Sequence, residues 1–168
     1  MIKRFAPTPN IDLSECCYNG YVGVLAVQHL DVNGNLIKIT QAPNLIVDNA
    51  RPILTHLLAE ATATKAIGYI AVGTGTTAPT SGDLDLESRT GPNGVIGVTF
   101  SYPAADRVQF EATLPNGTGS SDYNNQTLTE AGLITSEVSG FLFARQTHGG
   151  IYKTSSIQLK YIWTIIFT

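Results

Sequence analysis

Charged side chains are scarce in this sequence. Only 14% of its 168 residues are charged, whereas about 25% is usual for a soluble protein. Ten basic and thirteen acidic residues give a net charge of −3, and the basic residues form no cluster, so we expect neither a nucleic-acid partner nor a membrane partner. Hydrophobic residues make up 43% of the chain, which excludes global disorder. A neutral surface of this kind suits a protein that packs against neighbours, because burying charges at an interface is costly.

Cysteines and long apolar runs are also scarce. Cys16 and Cys17 are the two cysteines, and a disulfide between adjacent residues is strained. We therefore expect no disulfide framework and a reducing, cytoplasmic site of synthesis. No run approaches the roughly 20 apolar residues of a membrane span. The residues after Met1 contain prolines and acids where a signal peptide would be apolar, so a secretory signal is not expected.

Motifs for catalysis and metal binding are missing. The histidines at 29, 56 and 148 are too widely spaced for a metal motif, and no Gly-x-Ser-x-Gly nucleophile elbow occurs. The Gly73-Thr74-Gly75 loop follows an apolar run, but it lacks the lysine of a P-loop and the third glycine of a dinucleotide fingerprint. We therefore expect no catalytic residues, no metal site and no cofactor, and we interpret the protein as a non-enzyme.

A short acidic segment raises the question of calcium binding. Asp83, Asp85 and Glu87 alternate with leucines, whereas a calcium loop needs six to eight oxygens and a glycine at a defined turn. The pattern instead favours a surface turn in which Asp85 or Glu87 pairs with Arg89.

The clearest pattern is the C-terminal run 154–168, which alternates with period two and predicts a strand. One face is apolar throughout and predicts the core strand of the fold. The other face becomes apolar after Lys160, at Ile162 and Ile166, so both faces are expected to be covered there. A helix is the simpler cover. If the helix lies elsewhere, Ile162 and Ile166 become candidate interface residues.

The rest of the chain predicts a mainly-β fold, an antiparallel, Greek-key-like β-sandwich with one helix at about 48–64. Asn33-Gly34 lies between two β-rich runs and predicts a hairpin turn. Residues 1–17, which contain two prolines, are expected to form an extended arm, and residues 18–168 a single domain. The predicted core combines five aromatic residues with two helical leucines: Tyr161, Trp163, Phe167, Phe100, Phe110, Leu57 and Leu58.

One loop has the composition of a carbohydrate site. Residues 115–126 are rich in Asn, Ser and Gly, and Asp122, Tyr123 and Asn124 lie together in them. Aromatic rings stack on sugars, and amides bind their hydroxyls. The alternative interpretation is a turn with a packed tyrosine.

Several short motifs follow one another between residues 44 and 168: 44–50 (NLIVDNA), 69–79 (YIAVGTGTTAP), 86–89 (LESR), 128–133 (LTEAGL), 142–145 (LFAR) and 151–167. In this order they resemble a family of tailed-phage virion proteins, the tail-fibre, collar and baseplate-associated β-domains.

The resemblance implies a non-enzymatic, oligomeric structural subunit of the virion. Its partners would be copies of itself and other virion proteins, and it would be made in the cytoplasm of the bacterial host. It also places Glu130 and Arg145 inside otherwise apolar motifs, as a candidate structural ion pair. The location would be the tail or head–tail junction, as a collar, connector, baseplate or fibre-attachment protein. The alternatives are a host-receptor module that binds carbohydrate and a capsid decoration protein.

Overall fold

A computed structural model describes residues 20–59, 66–90, 95–118, 123–136 and 139–168. These ranges contain nine strands and one helix. The predicted mainly-β, antiparallel class is confirmed. The predicted arm at 1–17 and the end of the predicted helix at 60–64 lie outside the described residues. The elements are β1 (Tyr21–Leu30), β2 (Leu36–Ile46), α1 (Ala50–Ala59), β3 (Tyr69–Gly73), β4 (Val95–Gly97), β5 (Thr99–Ala104), β6 (Arg107–Leu114), β7 (Gln126–Ile134), β8 (Leu142–Lys153) and β9 (Gln158–Phe167).

The strands form one continuous sheet in the order β4-β3-β7-β8-β2-β1-β9-β6-β5. Its two edge strands, β4 and β5, are consecutive in the chain and are separated only by Val98. This segment pairs with β3 before Val98 and with β6 after it, so the sheet curls into a nearly closed barrel. A sandwich would consist of two separate sheets packed face to face. Here β2 pairs with both β1 and β8, which joins the strands into one sheet, and the fold differs in this respect from the predicted sandwich.

Strand β9 occupies the position predicted for the core strand. It pairs with β1 on one side and β6 on the other along most of its length. Its inward side chains, Leu159, Tyr161, Trp163 and Ile165, are buried with the main hydrophobic cluster. With one neighbouring strand on each edge, β9 lies within the sheet, and its inward side chains reach the shared interior.

A polar contact inside the barrel fixes the single tryptophan. The Trp163 indole Nε1–H donates to Asn44 Oδ1 at 2.9 Å, and both residues are buried. Gly23 on β1 lies opposite Asn44 on one side and Ile165 on the other. A Cβ at Gly23 would lie 2.0 Å from Asn44 Oδ1, so the missing side chain makes room for the amide that satisfies the indole.

Four of the predicted core residues are exposed, which corrects that part of the prediction. Phe110, Tyr161 and Trp163 are buried, whereas Phe100 is 62% exposed, Leu58 is 91% exposed, and Leu57 and Phe167 are also exposed. Helix α1 buries Ile53 and leaves the later part of its apolar stripe in solvent. Phe100 has Phe110 as its cross-strand neighbour, but β5 is an edge strand, and little packs beyond it.

The helix therefore offers a direct comparison of two apolar positions. We expect Ile53→Ala to lower the free energy of unfolding by about 2–5 kcal/mol, because it leaves a cavity in the core. We expect Leu58→Ala to change it by less than about 0.5 kcal/mol. Urea unfolding followed by Trp163 fluorescence measures both values, and equal losses would contradict the observed orientation of the helix.

Candidate functional site

Glu130 on β7 is the centre of a buried polar cluster. The loop 74–90 covers it, and three backbone N–H groups of this region donate to its carboxylate: Gly75 at 3.0 Å, Glu87 at 3.1 Å and Ser88 at 2.7 Å. The side chain is fully buried. A carboxylate that loses water in this way needs such donors to remain stable.

Arg145 on β8 completes the cluster. Its Nε donates to Glu130 Oε2 at 3.0 Å, and its Nη1 donates to Asp83 Oδ2 at 2.7 Å. Its Nη2 donates to the Thr77 carbonyl at 3.2 Å. The structure thus brings Glu130 and Arg145 together as an ion pair, and the guanidinium connects the strand carboxylate to the loop carboxylate.

This cluster explains the glycine-rich loop without a bound phosphate. Its amides bind anions, but the anions are carboxylates of the same chain: Gly75 N–H binds Glu130, and the N–H groups of Thr76 and Thr77 bind Glu87 Oε2 at 2.7 and 2.8 Å. The neighbouring acidic segment is a surface turn, and Arg89 pairs with Asp85 as one of the two predicted alternatives. The cluster therefore anchors the loop 74–90, and its amide donors are hydrogen-bonded to carboxylates within the cluster.

Gly75 should be essential for this packing. A Cβ at Gly75 would lie 2.5 Å from Glu130 Oε1 and 2.6 Å from Glu87 Cβ, whereas a Cβ at Gly82, in the same loop, would meet nothing within 4 Å. We expect Gly75→Ala to cost about 1–3 kcal/mol of stability and Gly82→Ala to leave it within about 0.5 kcal/mol. Chemical denaturation of the two variants checks this, and a harmless Gly75→Ala would contradict the buried position of Glu130.

The loop carboxylates also predict an acid dependence. Burial raises the pKa of Asp83, but hydrogen bonds from Thr80 and Arg145 outweigh it and hold the pKa below its usual 3.8. Hydrogen bonds from Thr77 hold the pKa of Glu87 below its usual 4.5. Because these folded-state pKa values are depressed, the stabilisation is complete above the ordinary values and disappears as the pH falls through the folded ones.

We therefore expect the contribution of the two carboxylates to be nearly constant from pH 7 to about 5 and to be lost below about pH 4. His29 and His148, whose pKa values are lowered from the usual 6.5, add a separate decline that begins as the pH falls below about 6.5. Urea titrations at a series of pH values measure it. The Glu87→Gln variant should show a shallower decline, because it removes one of the titrating groups. A stability that increases on acidification would contradict the assignment.

Two of the predicted carbohydrate residues, Tyr123 and Asn124, line one polar pocket. Asp122 lies outside the described residues. Tyr123 is 3% exposed and belongs to the main hydrophobic cluster, so its ring cannot stack on a sugar, and that part of the prediction is wrong. Asn124 Oδ1 accepts from the Nζ of the buried Lys153 at 3.0 Å. The alternative interpretation, a turn with a packed tyrosine, describes Tyr123.

Ile162 and Ile166 lie on the outward face of β9, opposite Ala26 and Val22 of β1, and both are half-buried. Polar cross-strand pairs accompany them on β6 and β9, with Lys160 Nζ 2.6 Å from Glu111 Oε2. Helix α1 contacts β8, and its Leu54 and Leu57 share a groove with the inward-facing Ile165. The simpler cover that the sequence suggested, the helix, therefore lies elsewhere, and the two isoleucines remain candidate interface residues.

An apolar groove opens between α1 and the β5–β6 hairpin. It encloses about 380 Å³, and its lining is aromatic and aliphatic, with Leu54, Leu57, Phe100, Tyr102, Phe110 and Phe167 among its residues. Phe100 and Tyr102 contact each other edge to face, with ring centroids 5.9 Å apart. We call this surface the aromatic groove. The sequence pattern placed Phe100 and Phe167 in the core, so this groove was not predicted.

The barrel interior also contains three polar side chains that the sequence pattern did not predict there as a group. The hydroxyl of Tyr161 and the Nε2 atoms of His29 and His148 are buried and have no hydrogen-bond partner among the described residues. Burial raises the pKa of Tyr161 and lowers the pKa of both histidines. The three side chains are therefore uncharged at neutral pH.

Within the described ranges, no group of three or more His, Cys, Asp or Glu residues is placed to hold a metal ion. None of the helices in the same ranges is long and apolar enough to cross a membrane. No protein-family model matches the chain, and no curated protein or solved structure is significantly similar to it.

Proposed function

We propose that this protein is a non-enzymatic structural subunit of a tailed-phage virion, at the tail or head–tail junction, and that it assembles as an oligomer. The observation that carries the oligomeric part is the aromatic groove. Tyr102 is 73% exposed and Phe100 nearly as much, and contiguous exposed apolar surface marks an interaction site.

The charged residues support the same proposal. The buried charges of Glu130 and Arg145 bind each other and the loop 74–90, so they are part of the scaffold. The described surface offers apolar areas to a partner, among them the aromatic groove and the two half-buried, outward isoleucines of β9. Protein interfaces are depleted of charge at their centres and enriched in aromatic residues.

The virion assignment rests on the resemblance. Four of the segments that carry it contribute to one structural unit, because Gly75, Glu87, Glu130 and Arg145 meet in the buried cluster. Residues that are far apart in the chain, from 75 to 145, therefore have a physical reason to occur together in this order. Motifs that share one structural role support the resemblance to a family better than the same motifs taken singly.

Sedimentation equilibrium of the purified chain tests the oligomeric part. We expect a concentration-dependent mass above the 17.9 kDa of the monomer. A variant with a charge in the groove, Tyr102→Asp, should associate more weakly, and Leu84→Asp, at an exposed leucine of the loop 74–90, is the matched control. A mass of 17.9 kDa at every concentration would contradict the proposal.

A further inference from the structure

The β1–β2 hairpin carries a second exposed apolar surface. Its large aliphatic side chains are in solvent near the turn, and Ile37 is 64% exposed. The members are Val32, Leu36, Ile37 and Ile39, and we call this surface the hairpin knob. The outer edge of β2 pairs with β8 only at Leu45 and Ile46, so residues 36–43 pair with β1 alone.

The knob is held in a fixed shape. The Asp31 carboxylate accepts from the backbone N–H groups of Asn33 and Asn35, both at 2.8 Å, and from Asn35 Nδ2 at 2.9 Å. Gly34 adopts a positive φ of 80°, which suits glycine in a turn. A preorganised turn loses little conformational entropy when it binds.

The knob and the aromatic groove lie at opposite ends of the same strands. Strand β1 begins at Tyr21, opposite the groove residue Phe167, and ends at Leu30, opposite Gln158, where the knob starts. Ten residues at about 3.3 Å each place the two surfaces roughly 30 Å apart. Two different apolar surfaces at opposite ends of one molecule are the requirement for a head-to-tail contact between identical subunits.

The charges allow this contact. The knob has one acid and one base near it, Asp31 and Lys38, and the groove rim has the pair Arg107 and Asp106, whose Nε and Oδ1 lie 2.8 Å apart. Each surface is therefore close to neutral, and neither repels the other. Association should accordingly depend little on salt.

The small apolar area of the groove predicts a weak contact, so a stable assembly requires more than one such contact per subunit. Aromatic side chains bury about 150–250 Å² each, so the exposed parts of Phe100, Tyr102 and Phe167 provide on the order of 300 Å². A standard stable interface buries about 800 Å² per partner. A subunit that uses both ends, in a ring or a row, combines two such contacts.

We infer that the hairpin knob of one copy binds in the aromatic groove of the next copy, head to tail. The inference rests on the proposed oligomeric function and names its interface. It differs from a symmetric, groove-to-groove dimer, in which the knob has no role. Ile37→Asp removes the knob and Phe100→Asp removes the groove, both at exposed positions where a charge is compatible with folding.

Sedimentation velocity up to about 1 mM, where millimolar contacts are populated, distinguishes these arrangements. We expect wild type and the control Leu84→Asp to associate, and each of the two variants alone to associate at least tenfold more weakly. An equimolar mixture of Ile37→Asp and Phe100→Asp retains one intact knob and one intact groove, so it should form a one-to-one dimer and nothing larger. Matching circular dichroism spectra verify that all variants are folded.

Three results would overturn the inference. If Ile37→Asp associates like wild type while Phe100→Asp does not, the groove contacts something other than the knob, and the oligomeric proposal survives without this interface. If both variants are monomeric and their mixture is too, the two surfaces do not bind each other. If wild type is monomeric at about 1 mM, the inference and the proposal on which it rests both fail.

Discussion

Arg145→Ala should lower the free energy of unfolding by about 3–5 kcal/mol, because it removes one partner of a buried ion pair and leaves the other without its counter-charge. Glu130 would keep its three backbone donors, but its charge would lose the guanidinium that lies 2.9 Å away. Asp83 would lose its contact with the same group. Urea unfolding followed by Trp163 fluorescence measures the loss, since Trp163 is fully buried.

Two companion variants show whether burial is the cause. Arg107→Ala breaks an ion pair with Asp106 that is exposed on both sides, and it should cost less than about 1 kcal/mol. The double variant Glu130→Leu, Arg145→Met should not recover stability, because the amides of Gly75, Glu87 and Ser88 would then lack their acceptor. A double variant as stable as wild type would contradict the role of Glu130 as the anchor of the loop.

Gly23→Ala should be about as damaging, at about 2–6 kcal/mol. The new Cβ would overlap the amide of Asn44, and overpacking of this kind costs about 1–3 kcal/mol. Moving the amide away would leave the buried indole N–H of Trp163 unsatisfied, at a further cost of about 1–3 kcal/mol. Neither neighbouring strand can easily yield, because β1 is paired with both β2 and β9 at this position.

A double-mutant cycle isolates that contact. Asn44→Ala removes the obstructing amide, so Gly23→Ala should cost clearly less in the Asn44→Ala background than in wild type. Gly97→Ala is the strand control, since a Cβ there would meet nothing within 4 Å. Additive effects in the cycle would show that Gly23 and Asn44 are not coupled, contrary to the structure.

The sequence pattern predicts much of the local structure. Period two predicted a strand within 154–168, where the structure has Gln158–Phe167, and Asn33-Gly34 marked the first hairpin. Period two also identifies which side chains share a face, but it does not reveal whether anything covers that face. Phe100 and Phe167 were therefore placed in the core, although they line the aromatic groove.

The candidate site was predictable only in part, because its contacts are long-range. Glu130 and Arg145 stand out as charges within apolar strands, but the donors to Glu130 are 42 to 55 residues away in the chain. Asn44 and Trp163 are separated by 119 residues. A lone buried tryptophan signals that an acceptor is needed, and the fold determines which residue supplies it.

A reconstruction of the intact phage particle by electron cryomicroscopy tests the central claim, a structural role in the virion, most directly. We predict that this β-domain fits density at the tail or head–tail junction, in several symmetry-related copies, with the aromatic groove of each copy covered by protein. Particles that contain no copy of this chain, although it is produced during infection, would contradict the account.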